Sequence, residues 1–556
     1  MIKSLRFKFG SGPGSAPVQI STTPVTVFVG PNNSGKSKVL SEIHHFCTTG
    51  QKNSTDVIVD EIEFESLTEA IAIEKIDRMT LKPHATESVP LGHLILGKRG
   101  ERRQVIRRDL VESFKNTNAQ TALFCQCYLQ FTTLILNGQN RIGLIKQQAA
   151  GDLQQPPHTS FQVLFADDAR RLEVRRIIHE AFNTYLAIDP TNLGQLRLRL
   201  SSRAPASHME ERGIHDEAVQ FHSASSPIEN ASDGVKAFTG MITETIAGDP
   251  AILLIDEPEA FLHPSLAFKL GDEIARASLG SEKRLFVSTH SPSFVMGCIQ
   301  SGAPVNIVRL TYRNGIATAR VLPNHEILRL MRNPLLRSTG VLSGLFYEFV
   351  VVTEADADRA FYQEVNERLQ RFKPELGIPN CLFINAQNKQ TIQTIIRPLR
   401  DLGIPAAGIV DIDVLKEGGS VWASFLESAY LPEIERNSLS TARSAVKQRF
   451  ERTKKDMKRE GGLHLLSAED MEAAKNLMER LGEYGLFVVR LGELESWLKQ
   501  LGASGHGPAW LISMFEKMGE DPESGSYLKP TDDDVWQFIG QVKQWLTNSN
   551  RKGIPA

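Results

Sequence analysis

The stretch FVGPNNSGKSKVL, residues 28–40, decides how the N-terminal half of the chain is read. Gly30 and the group Gly35-Lys36-Ser37 stand four residues apart, directly behind the apolar run Val25–Val29. Such a run predicts a buried strand. Gly30 to Gly35, with Asn33 and Ser34 between them, then forms a loop that turns tightly and aims backbone N–H groups inward, and Lys36-Ser37 opens a helix. The arrangement is an anion cradle at a helix N-terminus, with Lys36 reaching the β and γ phosphates of a nucleotide and the Ser37 hydroxyl on Mg²⁺.

A phosphate loop of this kind needs a second strand ending in acids. Residues 251–257, AILLIDE, supply it: Ile252 to Ile255 are apolar, Asp256 is placed to hold Mg²⁺ through water, and Glu257 to act as general base. Downstream, RLFVSTHSPSF predicts a strand over Leu285–Val287 with His290 beyond its C-terminal end, where it can contact the γ-phosphate. Upstream, ENASDGVKAF places Ser232 and Gly234 at the start of a helix. Taken together, the Gly30–Ser37 loop, the Ser232-Asp233-Gly234 turn, Asp256-Glu257 and His290 resemble the ATPase heads of the ABC class, including those of chromosome-maintenance and DNA-repair ATPases. The resemblance implies ATP with Mg²⁺ as cofactors. It also implies a head-to-head homodimer or higher homo-oligomer, in which Ser232–Gly234 touches the γ-phosphate held by another copy.

Residues 50–205 read as a largely helical insertion between the loop and the signature turn, a possible dimerisation region. Its basic groups GKRGERRQVIRR (97–108) and RRLEVRR (170–176) fit either a solvated helix face or DNA contact. The strands PVNIVRL and IATARVL complete a head spanning 1–335.

After residue 340 the character of the chain changes. An apolar strand, Phe349–Val352, ends at Glu354, and a helix follows with Phe361, Val365, Leu369 and Phe372 at helical spacing. Then come the strand and turn CLFINAQNKQ, a helix carrying Ile392, Ile395, Ile396 and Leu399, and the strand AAGIVDIDVL. This β-α-β-α-β order puts Glu354, Asp411 and Asp413 at one edge of a parallel sheet. Like charges in one cleft raise each other's pKa, and a divalent metal resolves the conflict. An all-carboxylate set with no His or Cys nearby points to Mg²⁺ or Mn²⁺.

A Glu after the first strand and Asp-x-Asp after the third look like the TOPRIM domain of topoisomerases, bacterial primases and the OLD (overcoming lysogenization defect) nucleases. The fusion of an ABC-type head to a TOPRIM domain over 340–556 is similar to the OLD family in particular. That resemblance adds Asp358 and, after a late strand over Leu486–Val489, Glu495 as metal ligands, with Glu493 as the fallback. It also gives Lys517 as the lysine that assists the scissile phosphate, though a first-turn acid such as Asp358 also serves its own helix dipole. The chain departs from the family in having Ala355 where Gly is common, and Asn385-Ala-Gln-Asn-Lys389 in place of a Gly-containing turn, with Lys389 available to hold substrate. Between the Asp pair and the late strand, EIERNSLSTARSAVKQRFERTKKDMKREGG reads as one charged helix carrying Lys454, Lys455, Lys458 and Arg459, either solvated or following a DNA backbone.

Composition bounds these readings. A chain of 556 residues exceeds one core, and 63 basic against 65 acidic residues leaves no global excess for nucleic acid, so any basic surface is local. The five scattered cysteines, with Cys125 and Cys127 at the wrong spacing for a zinc knuckle, suit a reduced cytoplasmic protein. No run approaches the roughly 20 apolar residues of a membrane span. The expectation is an α/β protein that is an ATP-hydrolysing, metal-dependent DNA endonuclease of prokaryotic anti-phage defence, acting with DNA and with a possible second defence protein. Its competitors are an ATPase sensor or scaffold whose TOPRIM domain binds without cutting, and a DNA-repair ATPase, which the lack of long coiled coils disfavours. Topoisomerase action would need a cleavage-domain tyrosine that the sequence does not offer.

Overall fold

The computed structural model describes the chain except at residues 85, 99–100, 323–326, 329–331, 333, 335–339, 389 and 556. The chain divides into two compact units, 1–324 and 325–556. The expected boundary at 335–340 and the expected contact Lys389 fall on or beside residues outside the described set.

The first unit is built on a six-stranded sheet. Its strands run, edge to edge, Ile316–Leu322, Val305–Arg313, Val25–Val29, Arg284–Ser288, Ile252–Asp256 and Thr133–Leu136, all parallel except the first, which pairs antiparallel with its neighbour. Every residue of Val25–Val29 is buried, as a central parallel strand covered on both faces requires. Register aligns Asp256 with Ser288 and Ser288 with Phe28, so the segments that follow these strands leave the sheet side by side. Ile2–Phe7 sits in a separate antiparallel sheet between Gln19–Ser21 and Val59–Phe64. Glu42, 2% exposed on the helix Lys36–Thr49, ties this sheet to the nucleotide helix by accepting the backbone N–H groups of Val57, Ile58 and Val59.

The span 50–205 is not the largely helical insertion that its length suggests. Helices such as Glu69–Met79 and Asp168–Phe182 share it with the hairpin His93–Lys98/Glu101–Ile106 and the pair Tyr185–Asp189/Gln195–Ser201, and Thr133–Leu136 is an edge strand of the central sheet. The reason is alternation. Segments such as Gln195–Ser201 bury every second residue for much of their length, a two-residue period that a helix cannot satisfy.

Several basic residues of this span are paired with acids of the same unit, and two of them are buried. Arg171, 3% exposed, and Arg175 both pair with Glu211, which is 2% exposed. Arg176 meets Glu173, Glu180 and Glu273, Arg102 meets Glu87, and Arg107 meets Asp77. Neither a solvated face nor a DNA contact describes Arg171 and Arg175: they are half of a buried ion network.

The second unit carries a four-stranded, fully parallel sheet in the order Cys381–Asn385, Phe349–Thr353, Ala406–Val410, Leu486–Val488. The helices Asp356–Phe372 and Ile392–Asp401 follow the first two strands of the chain order as their apolar spacing predicts, and Ile392, Ile395, Ile396 and Leu399 are fully buried. One face of the sheet rests on an aromatic layer of Tyr362, Trp497, Trp510, Trp536 and Phe538, where the Trp497 indole N–H donates to the Tyr362 hydroxyl at 2.9 Å. The charged segment expected as one helix ends at Thr453, and Lys454 caps it in the left-handed conformation at φ 57°. Lys458 therefore lies in the loop beyond.

Among the described residues no helix is long and apolar enough to cross a membrane. All five cysteines are free. Removing one partner of a buried ion pair leaves an uncompensated charge, typically at about 3–5 kcal/mol, whereas an exposed pair is worth about 0–1 kcal/mol. Glu211→Gln is therefore expected to lower the melting temperature well below that of the wild type, while Arg107→Gln, at the exposed pair with Asp77, leaves it nearly unchanged; thermal denaturation of both variants checks this.

Candidate functional site

At the C-terminal edge of the first sheet, the loop behind Val25–Val29 needs its glycines. Gly30 sits at φ 146° and Gly35 at φ 92°; a Cβ on Gly30 would come 2.0 Å from the carbonyl oxygen of Leu310, and one on Gly35 would come 2.6 Å from Cδ1 of Ile58. Asn33, at φ 61°, supplies another left-handed turn. Lys36 opens the helix and is 5% exposed, its Nζ donating to the carbonyls of Gly30 at 2.9 Å and Pro31 at 2.7 Å. Burial lowers its pKa to about 8 against the opposing pull of Glu257, Asp256 and Glu259. The Ser34 side chain lies beneath the loop, and Ser37 is exposed in the first helical turn.

The acids arrive on the neighbouring strand. Ser288 Oγ donates a hydrogen bond to Asp256 Oδ1. Glu257 is exposed and held at φ 50°, a strained conformation for a residue with a Cβ, and its Oε1 lies 3.6 Å from His290 Nε2. Burial, then the charge of Lys36, lowers the His290 pKa against the opposing pull of Glu257 and Asp256. Ser232 occupies the N-cap position of the helix Asp233–Thr243 without a side-chain capping bond, and Ser232 and Asp233 are exposed. A Cβ on Gly234 would meet the carbonyl oxygen of Phe261 at 2.6 Å, which fixes the glycine at the second helical position.

Two residues of this site escape the sequence reading. Arg141, 1% exposed, follows the edge strand and donates to the backbone carbonyls of Glu257 at 2.5 Å and Asp256 at 3.4 Å, clamping the strand end that carries both acids. Glu259 accepts the His290 backbone N–H at 2.7 Å and fixes the segment that presents the imidazole. The available signal is the arginine five residues beyond the apolar run TTLIL, hidden because that run reads as part of an insertion.

At the C-terminal edge of the second sheet, Glu354, Asp411 and Asp413 each place an oxygen within 4.8 Å of the others. Glu354 Oε1 accepts the Asp411 backbone N–H at 2.8 Å. Burial and the neighbouring Asp411 raise Glu354 to about 8; burial and Asp411 likewise raise Asp358 to about 7. Asp411 is also raised, by burial, against the opposing pull of Lys458. Asp358 does double service. Its Oδ2 accepts the Ala355 N–H at 2.9 Å, capping the helix, while its charge adds to the cluster. Ala355 itself is extended, at φ −129°, so a glycine is not required there by conformation.

The late acids join the same field, for Glu495 raises both Asp358 and Asp411. Glu493 is 7% exposed. Lys458 Nζ stands 2.8 Å from Asp411 Oδ2 and 3.8 Å from Glu493 Oε2. Burial works against its charge, but Asp411, Asp413 and Glu354 more than compensate and push its pKa up. Lys517 is exposed in the last turn of the helix Pro508–Met518, and no ion pair joins it to the cluster. His506, which the sequence reading does not single out, places Nδ1 2.7 Å from Glu495 Oε1.

The oxygens at Glu354, Asp411 and Asp413 fit a hard divalent cation. Burial makes ionisation of Glu354 and Asp411 costly, and a proton or a bound cation relieves that cost. The loop at Gly30–Ser37 fits a nucleotide phosphate with Mg²⁺ near Ser37 and Asp256.

Residues 169–296 match a family described as "AAA domain, putative AbiEii toxin, Type IV TA system", and residues 345–413 match "Overcoming lysogenization defect protein-like, TOPRIM domain". The chain joins an ATPase domain to an OLD-like TOPRIM domain. The first match takes in Ser232, Asp256, Glu257 and His290; the second runs from before Glu354 to Asp413 and stops short of Lys458, Glu493 and His506. No curated protein matches the chain. Similar solved structures include an SMC head bound to the C-winged helix domain of ScpA (16% identity, TM-score 0.33, 59% of this chain and 99% of that one). The SMC head domain from Thermotoga maritima is similar at 14% identity and TM-score 0.28, over 58% and 99% of the two chains. A Pyrococcus furiosus Smc head with an extended coiled coil, bound to the C-terminal domain of ScpA, has 14% identity and TM-score 0.32, over 59% and 98%. Likeness at that level leaves the fold to rest on the sheet order and the family matches.

Because Arg141 acts on the backbone behind Asp256 and Glu257, its loss should misplace the acids without emptying the phosphate loop. Arg141→Met is expected to lower kcat for ATP hydrolysis about 10–100-fold while the ATP Kd changes by less than about threefold, and Lys36→Ala to abolish measurable binding. Steady-state hydrolysis paired with nucleotide titration separates the two.

Proposed function

We propose that the protein is an ATP-hydrolysing, metal-dependent DNA endonuclease of prokaryotic anti-phage defence, assembled head to head and gated by its nucleotide. The observation that carries the nuclease half is the gathering of Glu354, Asp358, Asp411 and Asp413 at one sheet edge, with the late acids and Lys458 against them.

In the head, the loop N–H groups and Lys36 would hold the terminal phosphates, Ser37 and Asp256 would hold Mg²⁺, and Glu257 would serve as the base for the attacking water. His290, 3.6 Å from Glu257, is placed to orient that base and would face the γ-phosphate. The exposed Ser232 at a helix N-terminus is suited to the phosphate bound by a second copy. In the TOPRIM domain, Glu354, Asp358, Asp411, Asp413 and Glu495 are the ligands for one or two divalent ions. When bound, such ions supply an activated water and stabilise the leaving oxygen of a phosphodiester. Lys458 is better placed than Lys517 to offer a positive charge to the scissile phosphate, because it already stands among the carboxylates.

A second reading, an ATPase sensor or scaffold whose TOPRIM domain binds without cutting, draws support from the same lysine. Lys458 neutralises part of the cluster from within the chain.

Supercoiled plasmid incubated with the purified protein and Mn²⁺ or Mg²⁺, with and without ATP, separates these readings. The nuclease reading predicts nicking and linearisation that fall at least about 100-fold in Glu354→Ala, and a nucleotide dependence that disappears in Lys36→Ala. Intact ATP hydrolysis with no cleavage in any condition would overturn it in favour of the sensor.

A further inference from the structure

Between residues 447 and 460 the second unit carries seven basic residues against three acidic ones, in a chain whose totals are 63 and 65. Some of these cations are spent: Lys447 pairs with Glu451, Arg449 with Asp470 and Lys458 with Asp411, while Arg452 sits in the last turn of its helix. The nearby acids are turned onto the loop itself. Glu460 Oε1 accepts the Asp456 N–H at 2.9 Å, and Asp456 Oδ1 accepts the Lys458 N–H at 2.9 Å and pairs with Lys416 at 3.5 Å. Lys454, Lys455 and Arg459 are left exposed, and among the described residues none of the three makes an ion pair.

The loop that carries them is fixed against the carboxylate edge. Met457, 3% exposed, anchors it, and its carbonyl accepts the Gly462 N–H at 3.1 Å. The Leu463 N–H donates to the Arg490 carbonyl at 3.0 Å, and a Cβ on Gly492 would come 2.1 Å from the Lys458 carbonyl oxygen. Backbone therefore lies flat on backbone here, and this close approach sets the Lys458 ammonium beside Asp411. Arg459 follows Lys458 directly. Consecutive Cα atoms are about 3.8 Å apart, so those of Lys455 and Lys454 lie no more than roughly 15 Å from that of Lys458.

We propose that residues 454–459 form the surface on which the backbone of double-stranded DNA lies as it reaches the carboxylate edge, with Lys454, Lys455 and Arg459 on the phosphates flanking the one at Lys458. The proposal rests on the nuclease reading for its choice of polyanion. Duplex DNA carries a charge for about every 1.7 Å of its axis, so a strand at Asp411 presents several phosphates within reach of this loop. A polyanion entering an acidic edge is repelled, and unpaired cations beside that edge offset the repulsion. A duplex fits better than a single strand, because the aromatic residue of the stretch, Phe450, is 1% exposed and offers no ring for a base to stack on. Contacts of this kind hold the backbone and read no sequence.

The full chain carrying Glu354→Gln, so that binding is read apart from cutting, is titrated against a fluorescein-labelled DNA duplex with Mg²⁺ over a series of salt concentrations. Lys455→Gln and Arg459→Gln are each expected to weaken binding about three- to tenfold and to lower the slope of log Kd against log salt by about one. Adding Lys454→Gln to both is expected to bring the loss to about 100-fold, with an unchanged melting temperature because all three side chains are exposed. Lys529→Gln, exposed on the same unit beside Phe372, is the control and is expected to change neither Kd nor slope. A triple variant with unaltered Kd and slope would overturn the inference and leave a solvated loop. Equal loss in Lys529→Gln would also overturn it, as the mark of net charge alone. Plasmid cleavage, read with Glu354 intact, separates this surface from the reading it rests on. Cleavage that the triple substitution leaves unchanged would remove the surface and keep the nuclease, whereas duplex binding that depends on the loop with no cleavage would keep the surface and remove the nuclease.

Discussion

Parallel pairing is the constraint on which both units depend. Strands that run the same way deliver their C-terminal residues to one edge, where backbone turns outward and side chains from distant segments converge. In the head this brings Gly30, Glu257 and His290 together from strands that share the register Phe28, Ser288, Asp256. In the TOPRIM unit it brings Glu354 and Asp411 close enough for the carboxylate of one to accept the backbone N–H of the other. The βαβ crossovers that produce this convergence also bury both faces of each sheet, which is why Val25–Val29, Phe349–Thr353 and Ala406–Val410 contain no exposed residue.

Convergence has an electrostatic consequence that differs between the units. The head balances its acids with cations: Lys36 feels Asp256, Glu257 and Glu259, and Arg141 binds the carbonyls behind them. The TOPRIM edge collects acids faster than it collects cations. Lys458 is the basic group that pairs with the cluster, while Glu354, Asp358, Asp411 and Glu493 are all raised above the ordinary carboxylate range. An edge that stores repulsion of this kind sacrifices stability for affinity toward a cation, the trade expected of a functional site.

The parts of this arrangement legible in the sequence were those written in consecutive residues. The strand, glycine loop and helix start of residues 25–37, the strand ending in Asp256-Glu257, and the βαβαβ run from Phe349 to Val410 each follow from local apolar periodicity and turn chemistry. The span 50–205 was misread as largely helical because its strands are short and amphipathic, and the pairing of Thr133–Leu136 with Ile252–Asp256 is visible only in three dimensions. Its arginines looked like a surface feature for the same reason: Glu211, the acid that neutralises Arg171 and Arg175, lies far along the chain. The roles of Lys458 and His506 leave no mark in spacing because each reaches its partner through tertiary folding.

The central claim is that the TOPRIM edge makes ionisation of its clustered acids costly until a cation binds, and the stability of metal-free Glu354→Gln tests it most directly. Glu354 has a folded pKa near 8 against an ordinary value of 4.5. Its contribution is therefore intact below about pH 4.5 and is lost as pH rises toward and through 8, whereas glutamine, with no charge to acquire, loses nothing. Thermal melts in chelator across pH 5.5–8.5 should show the variant gaining on the wild type as pH rises, by on the order of 1–3 kcal/mol at the upper end, and Mn²⁺ should reverse the order by stabilising the wild type more. A variant less stable than the wild type at every pH in chelator would make Glu354 a structural hydrogen-bond acceptor for Asp411 and contradict the account.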